Sequence, residues 1–383
     1  MTWTIVPTIT IGGTAYIGSA VGSISIDYGR NTVWDPQKAS YSRIQLVNTN
    51  NTNFNIAINA SVVIQIQNAT NTANITVFTG VVTDLVNEIQ TATGATTVTY
   101  VNITAAGPIT SMTRTITGTT DYPAEDESVR IDRILTAAGV TKDTVDSGTY
   151  NLLARTGKPS DALSLANAYA GTATGSIYET TAGKVGYASE LRRNQDVAAN
   201  GYFNLLPDYI NQATIKSNQS QGDVINSAKV GYNNGSFVTV TSSGSVATYG
   251  TIAATIPTDI DNEEDATTLA GIYIGMRAYP QTSLGSIEVR IDEPTMDATT
   301  LNKMLNMYFG LPIQIASLPL TISASTYYGF VEGWTLSFSQ LSAKITLRTT
   351  QKIYSYRFTQ WEDVAPALQW NAVGAALTWN TYE

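Results

Sequence analysis

The sequence predicts a mainly β protein with an α+β middle region, and three observations carry that prediction. Apolar residues two apart dominate the first third of the chain, which is the period of a half-buried strand. Only 13% of the 383 residues are charged, and the polar remainder is rich in Thr, Asn, Gly and Ser, which suits strands and turns better than solvated helices. The apolar period changes from two to nearly four after Pro123 and returns to two in the last quarter.

Along the chain, Ile24/Ile26, Ile44/Leu46, Ile56/Ile58, Val62/Ile64/Ile66, Ile75/Val77 and Val101/Ile103 predict strands. Gly12-Gly13, the Asn-rich stretches 48–53 and 68–74, and Gly94 separate them. This is a small barrel or sandwich over residues 1–122. Within it, Phe78-Thr79-Gly80-Val81-Val82 sets an aromatic beside a glycine in a strand, a pattern that marks a bulge or bend. Over 123–208, Val129, Ile134, Leu135 and Ala138 predict a helix between the acids 125–127 and Gly139. A second helix is expected from an N-cap at Ser160, burying Leu163, Ala166, Tyr169 and Ala170. A hairpin around Ala182-Gly183 then joins strands at 175–178 and 184–187.

The segment 209–298 predicts strands at 225–230 and 237–240, then a helix capped by Asn262. Its first turn holds Glu263, Glu264 and Asp265, and Ala266, Leu269, Ala270, Tyr273 and Met276 line its apolar stripe. A strand is expected at 287–291. Residues 299–359 open with a helix bearing Leu301, Met304, Leu305 and Tyr308 and continue as strands, a second β-barrel. Two internal echoes join these regions. Asp161-Ala162-Leu163 with Gly175-Ser176-Ile177 resembles Asp265-Ala266-Thr267 with Gly285-Ser286-Ile287, and Phe78-Thr79-Gly80 resembles Phe330-Val331-Glu332-Gly333-Trp334.

Composition narrows the function. With no His and no Cys, the chain has no imidazole base, thiolate or Ser-His-Asp triad, and no ordinary zinc or non-haem iron site. A carboxylate-pair glycosidase needs neither residue, but Glu125, Glu127, Glu179, Glu190, Glu288 and Glu332 form no recognisable acid and base frame, so no enzyme, cofactor or metal is expected. The acidic run 259–265 departs from a calcium-loop pattern at Glu264 and Ala270 and reads as the charged start of a helix. A net charge of −9 argues against sequence-specific nucleic-acid binding. The first basic residue is Arg30 and no apolar run nears the roughly 20 residues of a membrane span, so no leader, no membrane insertion and cytoplasmic synthesis are expected. Trp361, Trp370 and Trp379 recur every nine residues in the terminal segment 360–383, with Val364, Leu368, Val373 and Leu377 between them. Tryptophans anchor interfaces, so these seven residues are the candidate partner-binding set.

The order of these features resembles the tail-tip or baseplate hub proteins of long-tailed bacteriophages, the minor tail proteins. The resemblance rests on the strand Phe78 to Val82, the helix motif Asp161 to Ala166 followed by Ser176 to Glu179, the strand Phe330 to Trp334, and the landmarks Asp223 to Ser227 and Thr248 to Gly250, and spans about residues 10–350. It implies two related tail-tube-like β-barrels flanking helix-plus-strand segments, and a homotrimeric virion structural protein. Such a hub joins the tail tube, tape measure or distal tail protein ring to fibre or spike proteins and is assembled in the host cytoplasm. The other reading is a carbohydrate-binding or adhesive module that contacts the host surface through Trp34, Trp334 and the terminal tryptophans.

Overall fold

The computed structural model describes residues 6–50, 52–93, 96–322, 325–339 and 342–355. Within these residues the mainly β class with an α+β middle is observed. Seven strands come first: β1 (Pro7–Ile11), β2 (Thr14–Ile17), β3 (Val21–Gly29), β4 (Tyr41–Asn48), β5 (Ser61–Gln67), β6 (Asn74–Thr93) and β7 (Thr96–Ala106). Gly12 and Gly13, both at positive φ, make the two-residue turn between β1 and β2, a conformation that glycine adopts without a Cβ penalty. Ile24 and Ile26 of β3 and Ile44 and Leu46 of β4 alternate into the core as expected, and Tyr28 continues the β3 row. Ile56/Ile58 do not form a strand, because Asn55 and Asn59 hold left-handed φ values on either side and interrupt the extended backbone.

In the middle region, α1 (Glu127–Ala137) is capped by Asp126, whose carboxylate accepts from the Ser128 N–H. Its inner face carries Ile131, Ile134 and Leu135, while Val129 is half exposed. The next elements are β8 (Lys142–Val145) and α2 (Ala162–Thr172). The cap of α2 is Asp161 rather than Ser160, since its carboxylate reaches the Ser164 N–H. Leu165 takes the core position expected of Leu163, and Gly171 lies inside the helix. The expected hairpin is present as β9 (Ser176–Glu179) and β10 (Val185–Ala188), with β8 added in parallel to β10. After α3 (Arg192–Asn200), β11 (Ser227–Tyr232) pairs antiparallel with β12 (Ser236–Thr241) and parallel with β13 (Ala253–Ile256). The helix α4 (Glu263–Arg277), capped by Asn262, packs on that sheet. Both small sheets thus share one pairing pattern in different chain orders. The Asp161/Asp265 echo is not its cause, because Asp161 caps a helix while Asp265 lies in the first turn of one.

The chain then returns to the first sheet through β14 (Ile287–Arg290), α5 (Ala298–Leu305), β15 (Pro312–Ile315), β16 (Tyr327–Ser339) and β17 (Ala343–Gln351). N-terminal and C-terminal strands share one 12-stranded sheet among the described residues. The order from its β2 edge is β2, β1, β5, β6, β7, β4, β3, β16, β15 and the short strand Phe203–Asn204, with β17 and then β14 branching from β16. The two halves meet where β3 runs antiparallel to β16, and the opposed Tyr28 and Trp334 rings stack there at 4.9 Å. Here the second echo has a physical meaning. Phe78 and Phe330 are both fully buried, and each precedes a glycine at which a long strand changes partners. A Cβ on Gly80 would lie 2.4 Å from the Ala106 carbonyl oxygen, and one on Gly333 would lie 2.6 Å from that of Tyr28. Among the described residues no helix is long and apolar enough to cross a membrane.

Candidate functional site

The register of β16 against β17 slips between Val331 and Gly333, and the residue bulged out of that ladder is Glu332. Its carboxylate is fully buried, between arginines from two distant parts of the chain. Arg30, just after β3, donates from Nε to Oε2 at 2.8 Å, and Arg193, near the start of α3, donates from Nη2 to Oε1. Arg193 also donates to the Tyr354 carbonyl oxygen, and Arg30 to that of Asp35. Their guanidinium groups lie over the Phe330 and Phe309 rings at 5.6 and 5.3 Å. Burial lowers the pKa of Arg193, which the Glu332 charge opposes. One buried carboxylate therefore ties together the end of β3, the start of α3 and the end of the described chain. Clefts of about 30 and 190 Å³ adjoin Arg30, but the Glu332 carboxylate itself is fully buried and taken up by its two arginines, so this arrangement is a joint.

The other glutamates have similar anchoring partners. Glu127 accepts from the Thr149 and Tyr150 N–H groups, and its pKa is pushed up to about 7 by burial. Glu179 accepts from the Ser40 and Ile109 N–H groups and is pushed up to about 6, again by burial. Glu125 pairs with Arg130 and Arg133, Glu190 accepts from Tyr150 and Thr174 hydroxyls, and Glu288 pairs with Lys344. In the acidic run, Asp265 accepts from the Asn151 N–H and the Asn262 amide, as a helix start does. No cluster of three or more metal-ligating side chains occurs among the described residues.

The seven partner-binding candidates, Trp361, Val364, Leu368, Trp370, Val373, Leu377 and Trp379, lie outside the described residues. Of the exposed aromatics expected to meet sugars, Trp334 is buried against Tyr28. Trp34 is partly exposed, but its ring is packed by Tyr273, Tyr354 and Arg277, fastening the loop after β3 to α4. Neither offers a free stacking face.

What the described surface does offer is an unfinished sheet. Strand β6 pairs with β5 only as far as Val81, yet runs on beside β7 to Thr93. From Thr83 to Gln90 one edge of β6 therefore has no strand partner among the described residues, so its outward N–H and C=O groups are left to solvent. Val86 and Ile89 on this stretch are 53% and 72% exposed, with Asp84 and Glu88 among them. The apolar residues Leu85, Val86 and Ile89 do not reveal this edge, because side-chain spacing reports burial and not which ladder side is filled. The arginines at Glu332 are equally silent in sequence. Glu332 itself could have been noticed as a lone charge in an apolar strand.

No protein-family model and no curated protein matches the sequence. Solved structures do match the fold. The 43 kDa tail protein of prophage MuSo2 from Shewanella oneidensis superposes with a TM-score of 0.61 at 11% identity, covering 92% of this chain and 99% of that one. A tail protein from Neisseria meningitidis MC58 gives 0.63 at 9% identity, covering 92% and 98%. Prophage tail protein gp18 from Listeria monocytogenes EGD-e gives 0.53 at 12% identity, covering 91% and 95%. The chain has the fold of bacteriophage tail proteins along nearly its whole length.

Proposed function

We propose that this chain is a non-enzymatic structural component of a phage tail, the hub of a tail tip. In this reading it joins the tail tube, tape measure or distal tail ring to fibre or spike proteins. It is assembled in the host cytoplasm and resides in the virion tail. The observation that carries the proposal is the open edge of β6, because an extended ladder with exposed apolar side chains is completed by another strand at little further ordering cost. Fold likeness to tail proteins supports the setting, and the two partner-changing strands β6 and β16 support a chain that contributes two β units to a ring.

Three copies, each covering the β6 edge of the next, would form a homotrimer of closed symmetry. The buried glutamates support this reading by fastening distant segments of the chain to one another, which keeps an assembled part rigid. The Trp361, Trp370 and Trp379 segment then serves as the docking element for a neighbouring tail component. Negative-stain imaging of the purified chain tests the proposal. A ring of three copies is expected, and dispersed single chains at micromolar concentration would overturn it.

A further inference from the structure

A wider groove than the cleft at the Glu332 joint lies elsewhere on the molecule. It has room for about 570 Å³, within the range of small-molecule sites, and lies between the end of α3, the short strand Phe203–Asn204 and α5. Its wall chemistry is unusual for its uniformity. Asn200, Asn204, Asn302 and Asn306 contribute four amides, and Tyr202 and Tyr308 add two phenols.

The hydrogen bonds already made fix what two of these amides have left to offer. Asn302 accepts from the Ala69 backbone N–H at 2.9 Å, so the atom used there is the amide oxygen, and its NH₂ remains as donor. Asn306 donates from its NH₂ to the Asn302 carbonyl at 2.8 Å, so its amide oxygen remains as acceptor. The amides of Asn200 and Asn204 and the hydroxyls of Tyr202 and Tyr308 have no protein hydrogen-bond partner among the described residues. Lys303 is the one charged residue in the lining, and its ammonium sits 5.4 Å from the Tyr308 ring centre. Beside the groove the negative charge of Asp196 and the positive charge of Arg192 act on Tyr308 in opposite directions.

This combination selects a ligand class. A metal cation would need carboxylates in the lining, a phosphate would need more than one base, and a lipid would leave the amides unpaired. Donors and acceptors interleaved at this density match vicinal hydroxyl groups, each of which both donates and accepts. The Tyr202 ring is packed against Tyr328 and Phe330, and Lys303 lies over Tyr308, so these two residues offer the ligand their hydroxyls, each again a donor and an acceptor. We propose that this groove binds a neutral polyhydroxylated ligand, a glycan of one or two sugar rings, at a site separate from the sheet edge that serves assembly.

Saturation-transfer NMR on the full chain with maltose, lactose and chitobiose, each at about 10 mM, tests this at the millimolar affinity expected of so open a site. At least one sugar is expected to show saturable transfer. The double variant Asn204→Ala/Asn306→Ala should raise the saturation midpoint by about thirtyfold, the scale of two lost hydrogen-bonded contacts. Asn194→Ala, on the exposed part of α3 outside the groove, should leave it unchanged, with circular dichroism confirming that all variants fold. No transfer from any of the three sugars overturns the proposal, and so does a saturation midpoint that is unchanged in the double variant.

Discussion

Replacing Glu332 with Gln removes one negative charge and almost no volume, so its effect isolates the electrostatics of the buried joint. In the native chain two guanidinium groups, on residues 6% and 9% exposed, share one fully buried carboxylate. With Gln at the position both cations stay buried and neither has a counter-charge. Breaking a buried ion pair from one side costs about 3–5 kcal/mol, because the stranded charge keeps its desolvation penalty. At about 2.1 cal/mol/K per residue a chain of 383 residues unfolds with about 0.8 kcal/mol/K, so Glu332→Gln is expected to lower the thermal midpoint by about 4–6 °C. Arg193→Met should cost less, since Arg30 and Glu332 remain a one-to-one pair. The double variant Glu332→Gln/Arg193→Met should lose less than the sum of its parts, because the second change removes one of the stranded charges. Differential scanning fluorimetry or calorimetry on the three variants provides the comparison. A Glu332→Gln chain within about 0.5 kcal/mol of the parent, the range of ordinary surface changes, would mean that the two buried arginines need no counter-charge at this joint.

Two further outcomes follow from the same geometry. Glu127 has an ordinary carboxyl pKa of 4.5 when unfolded and about 7 when folded, so between those values the folded chain holds a proton that the unfolded chain has released. Its contribution is full below pH 4.5 and is lost as pH rises through about 7. Urea midpoints at pH 5 and pH 8 should therefore show the parent losing on the order of 2–3 kcal/mol more than Glu127→Gln, and equal pH slopes would contradict this. On the β6 edge, Val86→Lys with Ile89→Lys should abolish self-association while changing the stability of the isolated chain by less than about 0.5 kcal/mol. Sedimentation velocity alongside thermal melts separates the two effects, and unchanged association would remove that edge from the interface.

Much of this fold is legible in sequence because side-chain period reports burial directly. The alternation of Ile24 and Ile26 locates β3, and the cap at Asn262 with its acidic first turn locates the start of α4. Failures have local causes. Ile56/Ile58 carries a strand pattern, but the asparagines beside it take left-handed backbone positions, which apolar spacing cannot register. Asp161 outranks Ser160 as a cap only by where the chain turns. Long-range pairing is harder still to read. Nothing near Arg30 or Arg193 in the sequence points 302 or 139 residues along to Glu332, since the pairing exists only once β3 and β16 are neighbours. The groove amides are hidden for a different reason, because in an Asn-rich chain four more asparagines carry no contrast until the fold collects them.

The central claim is that the chain is built to close a ring with copies of itself. Its most direct test is the mass in solution of the purified 41.0 kDa chain, by light scattering at micromolar concentration, with and without residues 361–383. A mass of three chains in both forms is the predicted result, with the tryptophan segment left for outside partners. A single-chain mass in both forms would contradict the account.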